Sequence, residues 1–159
     1  GVNYIGVDHC IDSLSYLKKN HPSAIAVCTS GTRIPFANNS FERICSLHVL
    51  EHIYFIAEHC EEISRLLCKD GVYHYVIPSE GGLAFWLGRK LITGPHLKKK
   101  YSLNIDQIMA REHINDAKRV LKFLKFYFGV FESNYWPLNI PFLSINAMIF
   151  GKCKLPKHK

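Results

Sequence analysis

The sequence predicts an α/β fold: a mostly parallel sheet with helices on both faces, closed by an antiparallel strand pair at the C-terminal end. Three observations predict it. Short apolar, β-compatible runs alternate with amphipathic helical stretches as far as Pro78. Strands linked by helices in this way lie parallel, with right-handed crossovers. The last two strand-like runs are joined only by Pro137 to Phe142, a short link with two prolines that suits a hairpin rather than a helical crossover.

Along the chain, Tyr4-Ile5-Gly6-Val7-Asp8 is an apolar run ending in a carboxylate, and Ile11, Leu14 and Leu17 follow at helical spacing until His21-Pro22 stops them. Ala24 to Cys28 is a second strand. Gly31 to Asn39 is rich in turn formers, and Phe41 to His48 holds a third strand. Ile53, Ile56, Ala57, Cys60, Ile63, Leu66 and Leu67 share one helical face, and Lys69-Asp70-Gly71 reads as that helix's stop. Val72 to Ile77 is the fourth strand, closed by Pro78. The four strands Tyr4–Val7, Ala24–Cys28, Phe41–Leu47 and Val72–Ile77 are expected to be parallel neighbours in one sheet. From Ser79 to Glu112 the strand signal ceases, and this stretch reads as an insertion at the sheet's edge. Asn115 then caps a helix bearing Ala117, Val120, Leu121 and Leu124 on one face, before strands over Phe128 to Trp136 and Ser144 to Phe150.

The chain has 159 residues, 48% hydrophobic and 21% charged, which suits one globular domain over residues 1–159. It contains no apolar run of the roughly 18 residues that a membrane span requires, and its opening lacks the zones of a signal peptide. A cytoplasmic location is the expectation. The six cysteines show no C-x-x-C pair, which argues against a disulfide scaffold or a cysteine zinc site. The formal charge of +7 concentrates in Arg89, Lys90, Lys98, Lys99 and Lys100 and in Lys152, Lys154, Lys157 and Lys159. Such clusters attract nucleic acid, anionic lipid or an acidic small molecule, or are simply a solvated loop and a frayed tail.

Three segments carry a family likeness: Gly6-Val7-Asp8 before a helix; Ile34-Pro35-Phe36 leading through Asn39-Ser40-Phe41-Glu42-Arg43-Ile44 to Val49-Leu50-Glu51-His52; and Arg65-Leu66-Leu67 before Asp70-Gly71 and the strand ending at Pro78. In their order and spacing they resemble the class I S-adenosylmethionine-dependent methyltransferases, over about the first half of the chain. The resemblance implies a Rossmann-like fold, S-adenosyl-L-methionine as cofactor, and methyl transfer to an acceptor that the sequence leaves unidentified. The acceptor is expected to be a small molecule or lipid-like compound rather than nucleic acid.

Residue by residue, the resemblance implies a cofactor site of Asp8, His9, Ser30, Gly31, Ser46, Leu47 and His48. A carboxylate at the carboxyl end of a parallel strand can accept both ribose hydroxyls of a nucleoside. The residues alone leave Asp8 open between that role and a helix cap or turn aspartate; the likeness selects ribose. An acid often follows the next strand in the family, and here Ser30 stands in its place. Ser46, Leu47 and His48 match positions lining the methionine end. The family's first strand and its G-x-G-x-G turn should precede Tyr4, where only Gly1-Val2-Asn3 stands. A domain with its first strand missing is therefore expected, a processed chain or an excerpt, and not a self-sufficient catalyst.

The segment from Gly81 to Lys100, within the 79–112 insertion, leaves the fourth strand at its carboxyl end and is expected to cover the acceptor. Phe85 and Trp86 would wall a pocket and Arg89 would meet an anionic group, unless the aromatics only cap the core. No catalytic residue is assigned, with His48 and His113 as candidates. Two further readings compete. His48, Glu51 and His52 at helical spacing, with His113 or Glu112, offer a metal-ligand set like that of an inverted zinc-peptidase motif. Alternatively the chain is a catalytically inactive, truncated methyltransferase-like binding domain.

Overall fold

A computed structural model describes residues 4–80, 82–102 and 104–156. Gly81, where the acceptor segment was expected to begin, and Lys157 and Lys159 of the second basic cluster lie outside the described residues. The chain divides between Ala37 and Asn38 into two compact units.

The first unit is a βαβ element. β1 (Ile5–Asp8) and β2 (Ile25–Cys28) pair in parallel, from Ile5 opposite Ile25 to Asp8 opposite Cys28, and α1 (Ile11–Asn20) packs against both. Asp12 in the first turn of α1 and Lys18 and Lys19 in the last complement the helix dipole. The Lys18 ammonium also donates to the carbonyls of Pro22 (2.6 Å) and Ala24 (2.9 Å), tying the end of the helix to the entry of β2.

The second unit holds β3 (Phe41–Leu47), α2 (Ile56–Leu66), β4 (Leu67–Pro78), α3 (Leu83–Gly88), α4 (Gly94–Tyr101), α5 (Ile105–Glu112), α6 (Ala117–Tyr127), β5 (Val130–Trp136) and β6 (Met148–Lys154). Its sheet runs β3-β4-β6-β5, with β3 parallel to β4 and β6 antiparallel to both β4 and β5. The expected antiparallel C-terminal pair is present. The expectation of four parallel neighbours in one sheet is corrected: the strands form two parallel pairs in separate sheets. The ladder of β1 lies entirely with β2, and β3, among the described residues, pairs with β4.

Alternation along β4 buries Tyr73, Tyr75 and Ile77 on one face. Ile56, Cys60 and Ile63 of α2 and Ala117, Val120 and Leu124 of α6 close over them, with Ile149 and Cys153 of β6. Burial pushes the thiols of Cys60 and Cys153 up to about 12, so both remain neutral and behave as small hydrophobes. Gly151 lies opposite Tyr75, and a Cβ there would stand 1.9 Å from the Glu132 carbonyl oxygen. Its bareness admits the Tyr75 ring, whose hydroxyl donates to that carbonyl (3.1 Å) and lies 2.7 Å from Ser133 Oγ.

Three further expectations are corrected. The α2 helix ends at Leu66, not at Gly71, because β4 begins at Leu67 opposite Phe41 and absorbs Cys68 to Gly71 in a register irregularity. Gly71 is required by close approach, since a Cβ would lie 2.9 Å from the Cys68 carbonyl oxygen. The α6 cap is Asp116, whose Oδ1 accepts from the Arg119 N–H at 2.7 Å; Asn115 is buried instead. Replacing Asp116 by alanine should cost about 1 kcal/mol, read as a lower urea midpoint at constant slope. Next, the last strand starts at Met148 and runs to Lys154, so Lys152 sits in the ladder, 3.1 Å from Glu132, and not in a frayed tail. In keeping with the loss of strand signal after Pro78, residues 79–112 carry no strand among those described; α3, a π-helical turn (Arg89–Thr93), α4 and α5 fill the stretch with helix.

Candidate acceptor site and cofactor residues

The end of β4 is anchored before the insertion begins. Ser79, fully buried, donates from Oγ to the Leu143 carbonyl (2.8 Å), and its N–H donates to Ala147 (2.9 Å). Glu80 follows at the strand's carboxyl end. A second anchor brings a distant segment to it. Leu50–His52 forms a 3₁₀ turn, and its Glu51 carbonyl accepts from the N–H groups of Ile114 (2.9 Å) and Asn115 (3.1 Å). The Asn115 amide donates to the carbonyls of Leu50 (3.0 Å) and Ile53 (2.6 Å). His113, thus fixed, meets two partners: its Nδ1 contacts Glu80 Oε1, and its ring lies edge-on to that of His52, with centroids 4.6 Å apart.

Glu80 and His113 are mostly enclosed, with 13% and 16% of their side chains exposed. Burial, reinforced by the negative charge of Glu51, lifts the Glu80 carboxyl from 4.5 to about 7; Arg89 and His52 act against this, and Asp116 adds slightly to it. Burial likewise lowers His113, helped by the positive charges of His52, Arg89 and His48 and opposed by Glu51. Weak acid and weak base therefore face each other near neutral pH.

The pair borders a cavity of about 680 Å³. Leu83, Phe85 and Trp86 of α3 and Met109 and Ala110 of α5 supply apolar walls, and Arg89 is held at the rim by Asp106 at 3.3 Å. Phe85 and Trp86 stand outside the buried core cluster, and Trp86 is 44% exposed. The structure thus brings together Phe85, Trp86, Arg89 and His113 on one cavity. Sequence reasoning missed Glu80 and Asp106. Glu80 was discoverable by the rule applied to Asp8, an acid at the carboxyl end of a parallel strand.

His48 stands elsewhere, at the end of β3, with a left-handed φ of 54° held by its N–H to the Val76 carbonyl (3.0 Å). Its Nδ1 lies 3.3 Å from Oε1 of Glu51, a carboxylate only 1% exposed, and His52 Nε2 lies 4.0 Å from the same oxygen. The expected helical spacing of His48, Glu51 and His52 is corrected, because Leu50–His52 is a 3₁₀ turn. Nδ1 of His52 is engaged by the Glu112 carbonyl (2.8 Å) and that of His113 by Glu80. Among the described residues no three His, Cys, Asp or Glu side chains converge in a way that could hold a metal ion.

The remaining cofactor candidates fall in both units. In the first, Asp8 closes β1; its Oδ1 accepts from the Cys10 N–H at 2.8 Å and lies 3.6 Å from Nδ1 of the exposed His9. The turn role is therefore real, and it leaves the carboxylate 40% exposed. Ser30 Oγ lies 3.0 Å from Thr32 Oγ1, and Gly31 is buried with φ of 80°, a conformation that favours glycine. In the second unit Ser46 is buried and Leu47 is 62% exposed at the end of β3.

Residues 1–75 match a family model described as a methyltransferase domain. No curated protein matches the sequence. Among solved structures, a protein from Pyrococcus horikoshii OT3 is 16% identical with a TM-score of 0.67, covering 99% of this chain and 73% of that one. A geranyl diphosphate methyltransferase in complex with S-adenosylmethionine is 10% identical with a TM-score of 0.67, covering 97% and 69%. The [4+2]-cyclase SpnF is 9% identical with a TM-score of 0.66, covering 98% and 67%. The first 75 residues therefore match a methyltransferase-domain family, and the chain shares the Rossmann-like fold of these solved structures.

Proposed function

We propose that the protein transfers a methyl group from S-adenosylmethionine to a small, apolar-bodied acceptor seated in the cavity beside Glu80 and His113. The observation that carries this reading is the enclosed Glu80–His113 pair at the carboxyl end of β4, on a cavity walled by Phe85 and Trp86. Ligands of open α/β sheets gather at such strand ends.

Taken unit by unit, the chemistry of the residues present suits the cofactor. Asp8 offers an exposed carboxylate at a strand's carboxyl end, suited to the ribose hydroxyls, and Ser46, Leu47 and His48 stand at the end of β3, where the family's pattern has the methionine end. When bound, S-adenosylmethionine supplies an electrophilic methyl group on sulfur. The chain's own part is to orient the acceptor, exclude water and take up a proton. Phe85 and Trp86 hold an apolar body, Arg89 meets an anionic substituent, and the Glu80–His113 pair receives the proton that a hydroxyl or amine acceptor loses. Methyl transfer asks chiefly for positioning, so the walls matter as much as the pair.

Fold alone does not set the reaction, as the likeness to a cyclase illustrates. Cofactor binding is therefore tested directly, by calorimetry on the full-length protein. Asp8→Ala should weaken S-adenosylmethionine binding by about 1–3 kcal/mol, the loss of a charged acceptor for the ribose hydroxyls. Unchanged affinity would remove Asp8 from the site, and no binding by the wild type would favour a non-enzymatic binding domain.

A further inference from the structure

The helical run 83–101 is continuous through α3, the π-helical turn and α4, and ends where Ser102 turns left-handed with φ of 55°. From Gly82 to Ser102 there is no aspartate or glutamate, against Arg89, Lys90, Lys98, Lys99 and Lys100. Leu83, Leu87 and Leu91 recur four apart and are 64%, 45% and 64% exposed, with Ile92 beside them at 72%. An exposed apolar stripe on a basic helix is the pattern of a segment that lies in a membrane interface.

A second element shares the character. Trp136, the last residue of β5, and Leu138, Ile140 and Phe142, in the link from β5 to β6, are each more than half exposed. The link is nonetheless ordered from within. Asn146, fully buried, accepts from the Leu138 N–H (3.1 Å) and donates to the carbonyls of Ile140 (2.8 Å) and Phe142 (2.9 Å). Several of its backbone polar groups are met from within while its apolar side chains are exposed, an arrangement suited to a docking surface. The two elements leave the fold side by side: Ser79 Oγ donates to the Leu143 carbonyl, and a Cβ on Gly82 would stand 2.4 Å from that same oxygen.

We propose that the helical run 83–101 and the 136–142 link form a docking surface for a lipid bilayer bearing anionic headgroups. Charge decides among occupants. A second copy would press one acid-free basic face against another, whereas anionic headgroups complement the lysines while the acyl boundary takes the leucines and Trp136. Binding is peripheral, since no helix among the described residues is long and apolar enough to cross a membrane. The same helix walls the cavity with Leu83, Phe85, Trp86 and Arg89, so docking would set that cavity at the headgroup boundary. The surface stands independently of the methyltransferase reading.

Vesicle flotation of the full-length protein tests it, using phosphatidylcholine vesicles with and without phosphatidylglycerol. The protein should float with the anionic vesicles only, and less at high salt. Replacing Lys98, Lys99 and Lys100 together by alanine should weaken binding by roughly a hundredfold. The double variant Leu91→Glu, Ile92→Glu, at two exposed positions, should also release the protein while its melting temperature and its S-adenosylmethionine affinity hold. Equal flotation with both vesicle types, or none, overturns the proposal. So does an apolar variant that floats like the wild type while the lysine variant loses both vesicles and an oligouridine probe, which would assign the patch to a polyanion. A wild-type dimer that this apolar variant converts to monomer would give the surface to a second copy instead.

Discussion

Replacing His113 by alanine should slow methyl transfer by the full-length protein roughly 10²- to 10⁴-fold while S-adenosylmethionine affinity stays as it was. The argument rests on position. His113 is held by the Ile114 and Asn115 anchors, touches Glu80, and lines the cavity. Trp86→Ala should act differently, raising KM for the acceptor more than it lowers kcat, because a wall holds ground state and transition state alike. Glu80 also imposes a pH dependence whose sign can be worked out. Its folded-state carboxyl lies at about 7, above its ordinary 4.5, so ionising it is harder in the folded protein. The stability tied to its protonated form is complete below 4.5 and is lost as pH rises through about 7. Glu80→Gln removes that loss, and its advantage over the wild type in chemical denaturation should grow across this window to on the order of 1–3 kcal/mol, then level. Proton uptake by the pair should conversely strengthen above about 7, so the wild-type rate should rise with pH there and the Gln variant's should not. A flat wild-type profile with normal cofactor binding would take Glu80 out of the chemistry.

Leu124→Ala should destabilise the protein by about 2–5 kcal/mol, a large share of the stability of a typical domain. Leu124 is fully buried on α6 among Tyr73, Val120 and Phe128 of the core cluster, and truncation leaves a cavity that the β4 aromatics are too constrained to fill. Phe126, two residues away, is 81% exposed, and Phe126→Ala should change stability by less than about 0.5 kcal/mol. Denaturant midpoints of the two variants measure the contrast directly. Similar losses for both would mean that the face of α6 is misassigned.

Local patterns determined much of this protein. The apolar run Val72 to Ile77 marked β4 as a strand, the spacing of Ala117, Val120 and Leu124 set the face of α6, and Asp8 was placed at the end of β1 by its run of apolar neighbours. Each depends on residues within a turn or two of one another. Boundaries fared worse where a distant partner decided them. β4 starts at Leu67 because Phe41 pairs with it, which outweighs the glycine stop at Gly71, and β6 runs through Lys152 and Lys154 because β5 pairs alongside. The Glu80–His113 pair was out of reach of the sequence for the same reason. Its members are 33 residues apart and are brought together by long-range hydrogen bonds, among them those from Asn115 and Ser79 to carbonyls 62 to 65 positions away. Spacing carries no information about such contacts, since they arise when packed elements bring remote backbone groups within hydrogen-bonding range.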